Sequence, residues 1–486
     1  MQNTTDKRVQ ERRNEHRVET SREKVHPVEE VPPPLHLFAL GLQHVLVMYA
    51  GAIAVPLIIG GALNLPKDQI AFLISADLFA SGIVSIIQSL GIWRFGVRLP
   101  VMMGVTFASV PPMLALANNP EMGITAIYGA VIGAGVFVLF LAPYVGRLIR
   151  FFPPVVVGTV ITITGLTLMP IGINWAGGGQ PMITVIEDGI SKRVPNPDYG
   201  APEYILLSLL VLLVILAVAK FGRGFLANIA VLVGLSVGFA AAWFAGFVEF
   251  HGVADAAWFS PVTPFHFGYP VFDPQAILSL SIVMVVVMVE TAGMLLAVGE
   301  MVEQPLDEKR MTEGLRVDGI GSIIGGIFNT FPYVSYSQNI GLVGVTGVKS
   351  RWVCVMAGAI LIVLGLVPKL STVAASIPVV VLGGAGIVMF GMVCAAGVKI
   401  LAGVDFTQRG NLFIVGVSIV LGLIPTLAPA FYNQMPAALD PIAHSGIVMA
   451  AISAFILNLY FTHFSLEPRR VVQASGCENP SRETKA

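Results

Sequence analysis

The sequence is poor in charged residues. Lys, Arg, Asp and Glu make up 12% of its 486 residues, against roughly 25% in typical soluble domains. Fourteen of these charges lie within the first thirty residues, and apolar residues make up 55% of the chain. The charges that remain are too few to cover a soluble surface. This composition excludes a chain of soluble domains and predicts an all-α polytopic membrane protein.

Cysteines and net charge are also scarce, and the N-terminus lacks an apolar segment. The three cysteines, Cys354, Cys394 and Cys477, are far apart, which excludes a disulfide framework and a cysteine metal site. The net charge of −1 predicts no nucleic-acid partner. Residues 1–35 lack the apolar core of a cleavable signal peptide, so we expect a polar cytoplasmic tail. No His-Glu-x-x-His motif or assembled nucleophile is present, and we expect neither enzyme activity nor a metal.

Long apolar runs make up most of the remaining chain. A helix needs about 20 mostly apolar residues to cross the hydrocarbon of a bilayer. Fourteen windows reach or approach this length, near 36–62, 69–91, 99–117, 122–146, 152–171, 202–221, 225–248, 274–299, 313–329, 332–348, 351–373, 376–400, 409–427 and 441–462. The third, ninth and tenth are the weakest, because they are short or rich in Gly, Pro and polar residues.

The distribution of basic residues tests this count, because Lys and Arg concentrate in cytoplasmic loops. With fourteen spans and both termini in the cytoplasm, 24 Lys and Arg residues fall inside and 4 fall outside. One helix added or dropped would exchange the inside and outside loops of the rest of the chain and destroy this bias. The sequence therefore predicts fourteen spans with both termini inside.

Fourteen spans divide into two repeats of seven, and a repeat with an odd number of spans is inverted in the membrane. Two short similarities fall at paired positions. Residues 152–158 in span 5 resemble residues 377–383 in span 12, and residues 49–51 in span 1 resemble residues 291–293 in span 8. The predicted fold is therefore a 7+7 inverted repeat.

Spans 3 and 10, the third of each repeat, do not have the pattern of continuous helices. Residues 99–112 and 331–339 place β-branched and aromatic residues next to prolines. Non-helical backbone at membrane depth is tolerated only inside protein or beside a water-filled cavity. We predict a short β-strand in each of these spans, the two facing each other. A half-helix follows each strand, with its N-terminus pointing at a shared binding site.

Ionisable side chains inside membrane spans are costly and indicate functional sites by default. Within the predicted spans the candidates are His44, Asp77, Glu290, Asp318 and His444, with Arg316 near an end. Glu290 follows eight consecutive apolar residues in span 8 and has no basic neighbour in sequence. This setting favours a substrate or proton ligand over a structural carboxylate held by backbone amides.

The other four groups leave more alternatives open. Asp318 fits a functional carboxylate, and equally a carboxylate near a helix N-terminus or an ion pair with Arg316. His44 fits either a proton carrier or a hydrogen-bonded core residue. For Asp77 and His444 we favour a structural role.

Several motifs, in order along the chain, resemble those of one known family. Residues 338–347, Gln-Asn-Ile-Gly-Leu-Val-Gly-Val-Thr-Gly, fit the signature Gln/Glu/Pro-Asn-x-Gly-x-x-x-x-Thr-Arg/Lys/Gly of the nucleobase–ascorbate transporters, also called nucleobase:cation symporters of type 2. Further matches lie at residues 43–44, 152–156, 165–170, 290–293 and 316–319. The resemblance covers about residues 36–463, and the pattern is most similar to that of the bacterial uric acid and xanthine permeases of this family.

The resemblance implies a proton-coupled symporter that imports an oxidised purine base across the bacterial inner membrane. The implied partners are the purine, membrane lipid and a second copy of the chain in a homodimer, and no cofactor is implied besides the coupling proton. A core domain would carry substrate past a gate domain by an elevator-like shift. The implied segments are an N-tail 1–35, core 36–150 (spans 1–4), gate 151–273 (spans 5–7 and the following loop), core 274–373 (spans 8–11), gate 374–463 (spans 12–14) and a C-tail 464–486.

The same resemblance implies which residues form the site. The implied substrate-binding residues are Glu290, Gln338, Phe107, Ala108 and Asn339, and the implied residues of proton coupling and site support are His44 and Asp318. Glu290 and Gln338 would hydrogen-bond the base, while Phe107, on the strand of span 3, would stack on its ring. This chemistry suits an oxopurine, because a carboxylate accepts N–H bonds and an amide both donates and accepts.

Substrate preference also follows from the resemblance. Gln338 is typical of the xanthine/urate branch, whereas the uracil branch carries Glu. Ala108 stands where xanthine-selective relatives carry Asn, which leaves room for the extra oxygen of urate. Met294 and Gly347 depart from the pattern, because relatives carry Asp and Arg there. The implied substrate is urate or else xanthine. The alternatives are a symporter of uracil or another nucleobase, and an anion transporter of the same fold, which Glu290 disfavours.

Overall fold

The computed structural model describes residues 26–117, 123–145, 151–187, 190–248, 250, 252–436 and 439–463. The predicted tails therefore lie largely outside the described residues. The described helices are α1 (Pro34–Ala62), α2 (Lys67–Leu90), α3 (Val110–Ala117), α4 (Gly123–Leu141), α5 (Pro154–Ala176), α6 (Pro202–Phe221), α7 (Phe225–Asn228), α8 (Ala230–Phe244), α9 (Pro274–Met301), α10 (Glu308–Ile327), α11 (Ser337–Thr346), α12 (Arg351–Gly365), α13 (Pro368–Ala375), α14 (Val379–Leu401), α15 (Arg409–Leu427), α16 (Asp440–Ala443) and α17 (Gly446–His463). The strands are β1 (Met103–Val105), β2 (Met182–Glu187), β3 (Ile190–Pro195) and β4 (Tyr333–Ser335).

Each of the fourteen predicted windows contains a helix. Within the described residues, eight helices are long and apolar enough to cross a membrane, and a ninth span results if α12 and α13, bent by 79° at their junction, are taken together. The helices of the weak windows are shorter or more polar. That these helices cross the membrane therefore stays a prediction. The chain is a multi-pass, mainly helical membrane protein, as expected, and fourteen remains the predicted number of spans.

The strands predicted in spans 3 and 10 are present and pair with each other. Strands β1 and β4 are antiparallel, with Gly104 opposite Val334 at the centre of the register. Every residue of both strands is buried. Two paired strands satisfy each other's backbone groups, which lipid cannot do. The prediction of two facing strands is confirmed.

Two features of the strands differ from the sequence expectation. Phe107 and Ala108, expected on the strand of span 3, lie beyond it in a 3₁₀ turn that covers Phe107–Ser109. The turn forms because the Thr106 hydroxyl accepts a hydrogen bond from the Ala108 N–H at 3.2 Å, a local side-chain-to-backbone bond that competes with strand pairing. The second difference is the β2–β3 hairpin in the loop after α5, which periodicity did not predict.

Helix packing follows the symmetry of an inverted repeat. Helix α2 packs on α12, and α4 packs on α10; a shift of seven spans exchanges these two pairs. Each pair crosses at glycines. A Cβ atom on Gly82 would lie 2.5 Å from the Gly358 carbonyl oxygen, and one on Gly135 would lie 2.7 Å from the Gly319 carbonyl oxygen. Small residues at such crossings allow close backbone approach in membranes. The contact pattern therefore agrees with the predicted 7+7 arrangement.

Candidate functional site

A small cavity lies where the ends of β1 and β4 meet α9, α5 and α14. Its volume is about 70 Å³, well below the range of about 300–1,000 Å³ common for ligand pockets. The lining residues come from five segments of the chain: Val105, Thr106, Phe107, Ala108, Ile161, Thr164, Val286, Glu290, Met294, Val334, Ser335, Tyr336, Ser337, Gln338 and Val393. Segments from distant parts of the chain therefore meet around one narrow space.

Four of the predicted substrate contacts line this cavity together. Glu290 enters from α9 and Gln338 from the first turn of α11, while Phe107 and Ala108 come from the turn after β1. The first backbone N–H groups of α11 have no partner within the helix and favour an acceptor group at this end. Ser337, also in the lining, donates a hydrogen bond to the Gln338 side-chain oxygen at 3.3 Å.

The Phe107 ring, which lines the cavity, packs against a second aromatic ring. The ring of Phe107 meets the ring of Phe390, on α14, edge to face, with centroids 6.0 Å apart. Phe390 is fully buried, so it fixes the orientation of the half-buried Phe107 ring. A flat conjugated ligand can stack on such a face, because stacking and edge contacts are the favoured aromatic geometries.

The polar groups of the cavity are matched to a heteroaromatic ring. A carboxylate accepts N–H donors, and the Gln338 amide donates to a carbonyl oxygen or accepts from an N–H. No group of three His, Cys, Asp or Glu residues within the described part of the chain is arranged to hold a metal ion. The arrangement can bind and orient a ligand that carries alternating donors and acceptors.

Asn339 and His44 form a separate cluster. The Asn339 amide donates to the His44 backbone carbonyl at 2.9 Å, and it lies 3.1 Å from the Nδ1 atom of His44. Both residues are buried, and neither lines the cavity. Asn339 was expected to contact substrate, but the structure turns its amide toward α1. This cluster ties the helix that carries Gln338 to α1.

Asp318 lies behind the cavity, in the middle of α10. It is fully buried, and neither carboxylate oxygen has a hydrogen-bond partner at bonding distance among the described residues. The polar side chains that influence this carboxyl group electrostatically are those of Thr291 and Glu290, on α9. Arg316 lines a different, charged cavity with Trp93 and Arg94, and the structure shows no ion pair between Arg316 and Asp318 in its described part. The side chain therefore faces the α9 segment that carries Glu290.

Sequence reasoning missed the cavity residues outside the signature motifs. Thr164 and Ile161 enter from α5, Val393 from α14 and Tyr336 from the end of β4. A signal was available for Thr164 alone, since α5 carries several threonines within an apolar span. The apolar residues carry no such signal, because lipid-facing and cavity-facing valines look alike in sequence.

Two equivalent serines hold the starts of β1 and β4. The Met103 N–H, at the start of β1, donates to the Ser85 hydroxyl at 2.9 Å. The Tyr333 N–H, at the start of β4, donates to the Ser322 hydroxyl at 3.3 Å. Ser85 lies on α2 and Ser322 on α10, the second helix of each repeat. In each repeat, a serine hydroxyl therefore accepts a hydrogen bond from the first N–H group of the strand.

Two glycines near the site have conformational roles. A Cβ atom on Gly104 would lie 2.3 Å from the ring of Tyr336, so only glycine lets this ring cross β1. Gly347 ends α11 in the left-handed region, with φ of 69°, as is common at helix C-termini. Gly347, which stands where relatives carry Arg, therefore ends the helix. It does not line the cavity.

An ion pair joins the ends of the two helices that carry the polar site residues. The Lys349 ammonium, after α11, lies 2.5 Å from the Glu303 carboxylate, after α9. This hydrogen bond and the charge of Lys349 lower the pKa of Glu303 from its usual value. Exposed pairs of this kind contribute little to stability, so its effect is to bring the two helix ends together.

Comparison with known proteins identifies the family of this chain. The chain is 50% identical to the uric acid transporter UacT of Escherichia coli (strain K12) over 90% of this chain and 88% of that protein. It is 42% identical to the uric acid permease PucJ of Bacillus subtilis (strain 168), over 92% and 96% of the two chains. It is 40% identical to the xanthine permease of the same Bacillus strain, over 88% and 94%.

Solved structures share the fold at low sequence identity. The transmembrane domain of the cyanobacterial bicarbonate transporter BicA aligns with a TM-score of 0.56 and 16% identity, covering 87% of this chain and 96% of that one. The murine anion transporter Slc26a9, in its inward-facing state, aligns with a TM-score of 0.56 and 12% identity, covering 92% and 74%. Residues 35–431 match the profile of the Permease family designated Xan_ur_permease. The chain therefore belongs to this family of xanthine and uric acid permeases, the nucleobase–ascorbate transporters that its motifs resemble, and is a transporter rather than an enzyme.

Proposed function

We propose that the chain imports an oxidised purine base, urate first and xanthine second, in symport with protons. The observation that carries this proposal is one narrow cavity in which Glu290 and Gln338 lie beside the Phe107 ring. The names of the relatives, uric acid and xanthine permeases, support the purine class. The bacterial inner membrane, with both chain termini in the cytoplasm, is the location that fits this activity and the distribution of basic residues.

The test is uptake of radiolabelled urate, xanthine and uracil by bacterial cells that lack their own purine and uracil carriers and express this chain. We expect saturable uptake of urate and xanthine, each competed by the other in unlabelled form, and little uptake of uracil. Radiolabelled bicarbonate serves as the comparison for the anion transporters that share the fold. Uptake of uracil or bicarbonate without uptake of either purine would overturn the proposal.

The cavity also supports a division into core and gate. Its walls come from β1, β4, α9 and α11 on one side, and from α5 and α14 on the other. We propose that the former group belongs to a core of spans 1–4 and 8–11 and the latter to a gate of spans 5–7 and 12–14. Separation of these two walls would enlarge a cavity that is narrow in the present arrangement and release the ligand.

Proton coupling gives a prediction on the driving force. The half-buried Glu290 and the fully buried Asp318 and His44 are candidates for proton carriage. Among the described residues that line the cavity, Glu290 is the single carboxylate, which does not make a sodium site. A protonophore should therefore reduce the steady-state accumulation of urate by about tenfold or more, since the proton gradient of an energised cell corresponds to at least such a factor in accumulation. Replacement of sodium by choline should leave the accumulation unchanged. Uptake that survives the protonophore but fails without sodium would contradict proton coupling.

Asp318 gives a prediction that separates coupling from binding. Asp318→Asn keeps the shape of the side chain but removes its ability to exchange a proton. The variant should bind urate within about threefold of the wild type, because the residue does not line the cavity, and should lose about tenfold or more of the transport rate. Purified protein in a binding assay and cells in an uptake assay provide the two measurements. Equal losses in both would favour a structural role for Asp318.

A further inference from the structure

Asp77, in the middle of α2, is a buried carboxylate that the proposed transport mechanism does not use. It is fully buried and does not line the cavity. Its Oδ1 atom accepts two hydrogen bonds, one from the Thr330 hydroxyl at 2.9 Å and one from the Tyr333 hydroxyl at 3.0 Å. Its Oδ2 atom has no partner at bonding distance among the described residues.

Both donors lie at the entrance to β4. Thr330 precedes the strand, and Tyr333 is its first residue, paired with Val105 of β1. The strand ends at Ser335, and α11 follows at once with Gln338 in its first turn. A displacement of Tyr333 is therefore transmitted, through one three-residue strand, to the cavity side chains at its other end.

The two repeats differ at this point. Ser85 and Ser322 are equivalent, because each binds the first N–H of its strand. Eight positions before each serine lie Asp77 on α2 and Gly314 on α10. A carboxylate at this position is therefore present in one repeat only, and it contacts β4, the strand that leads to Gln338. A device needed for folding of the repeat itself would be expected in both halves.

Energetics argue against a purely stabilising role. Taking a carboxylate out of water is costly, and well-packed apolar residues of similar volume often serve stability better than buried charged groups. Hydrogen bonds to a charged acceptor are strong and directional, so they fix the position of both donors. A buried carboxylate with two hydroxyl donors therefore suits positional precision better than stability.

We propose that Asp77 is a positioning residue that sets the location of β4 and thereby the affinity of the site for its purine. It acts through the Tyr333 and Thr330 hydroxyls, without contact with substrate. This inference rests on the proposed function, because the side chain that it positions is Gln338 in the proposed purine site.

The test compares the Michaelis constant and the maximal rate of urate uptake, each per transporter in the membrane. Asp77→Asn should raise the Michaelis constant about tenfold, since it replaces a charged acceptor by a weaker one. Tyr333→Phe and Thr330→Val each remove one hydroxyl and should raise it about threefold to tenfold. Asp68→Asn, an exposed carboxylate on the same helix, is the matched control and should leave both constants unchanged.

A double variant separates this role from mere stabilisation. Tyr333→Phe should add less to the effect of Asp77→Asn than it causes alone, because Asp77→Asn has already weakened the bond that Tyr333→Phe removes. Lower membrane abundance with an unchanged Michaelis constant, or fully additive effects of the two substitutions, would overturn the proposal.

If Asp77→Asn does not reach the membrane, the proposal is tested by Tyr333→Phe and Thr330→Val alone. An unchanged Michaelis constant in both of these variants would overturn the proposal. Absence of purine uptake by the wild type would overturn the proposed function and this inference with it, whereas normal wild-type uptake with unaltered variants would overturn this inference only.

Discussion

Glu290→Gln is expected to abolish urate and xanthine uptake while the protein remains in the membrane. The carboxylate can accept two N–H bonds from an oxopurine, whereas the amide offers one acceptor oxygen and turns a donor toward the ring. Loss of a charge-assisted bond costs about 1.5–3 kcal/mol, and an unsatisfied buried donor adds about 1–3 kcal/mol. Together these terms predict a loss of about hundredfold or more in uptake at low substrate concentration.

The measurement is the initial rate of uptake, divided by the amount of transporter in isolated membranes. Glu300→Gln is the matched control, because Glu300 is an exposed glutamate on the same helix, α9. That variant should transport normally. Normal transport of both purines by Glu290→Gln would remove Glu290 from the site and with it the main support for the proposed function.

The broken spans could be predicted from the sequence, because their composition conflicts with a continuous helix. Prolines beside β-branched and aromatic residues in an otherwise apolar window favour a short strand. The backbone groups of such a strand are satisfied when it pairs with a second strand. The pairing partner also followed from topology, since spans 3 and 10 are equivalent in the two repeats. The structure confirms both strands and adds the register, with Gly104 opposite Val334.

The end of β1 could not be predicted, because a single hydroxyl decides it. Thr106 has high strand propensity, yet its side chain accepts the Ala108 N–H and starts a 3₁₀ turn. Such local bonds depend on a rotamer that the sequence does not specify. The consequence is functional, since the turn brings Phe107 and Ala108 to the cavity.

Gln338 and Asn339 are adjacent in the signature motif but have different surroundings in the structure, which the motif alone does not predict. Gln338 and Asn339 were both expected at the substrate, but successive helical residues point about 100° apart. Gln338 lines the cavity, whereas Asn339 binds His44 on α1. The motif thus combines a residue that lines the cavity with a residue that holds the helix, and the three-dimensional structure is required to tell them apart.

Ala108→Asn is expected to convert the preference from urate to xanthine. Ala108 is nearly buried and lines the narrow cavity, so a larger side chain takes up space that substrate would occupy. Urate differs from xanthine by one further carbonyl and N–H on the imidazole edge, and a carboxamide there would both fill that space and offer a hydrogen bond suited to the unoxidised ring. Polar recognition of this kind can discriminate far more strongly than a change of about one methylene in an apolar pocket, which is worth about 10–200-fold.

The selectivity measurement is the ratio of urate to xanthine uptake, each as maximal rate over Michaelis constant, in the same cells. We expect this ratio to fall by about hundredfold, through loss of urate uptake with xanthine uptake kept or increased. The Ala108 group that bonds the Thr106 hydroxyl is its backbone N–H, so a change of the Ala108 side chain keeps this bond and the turn. Ala402→Asn, at an exposed alanine just after α14, should leave the ratio unchanged. An equal fall in both substrates would show that position 108 affects the fold of the turn and not the choice between the two purines, because a steric or polar contact with the imidazole edge must act on them differently.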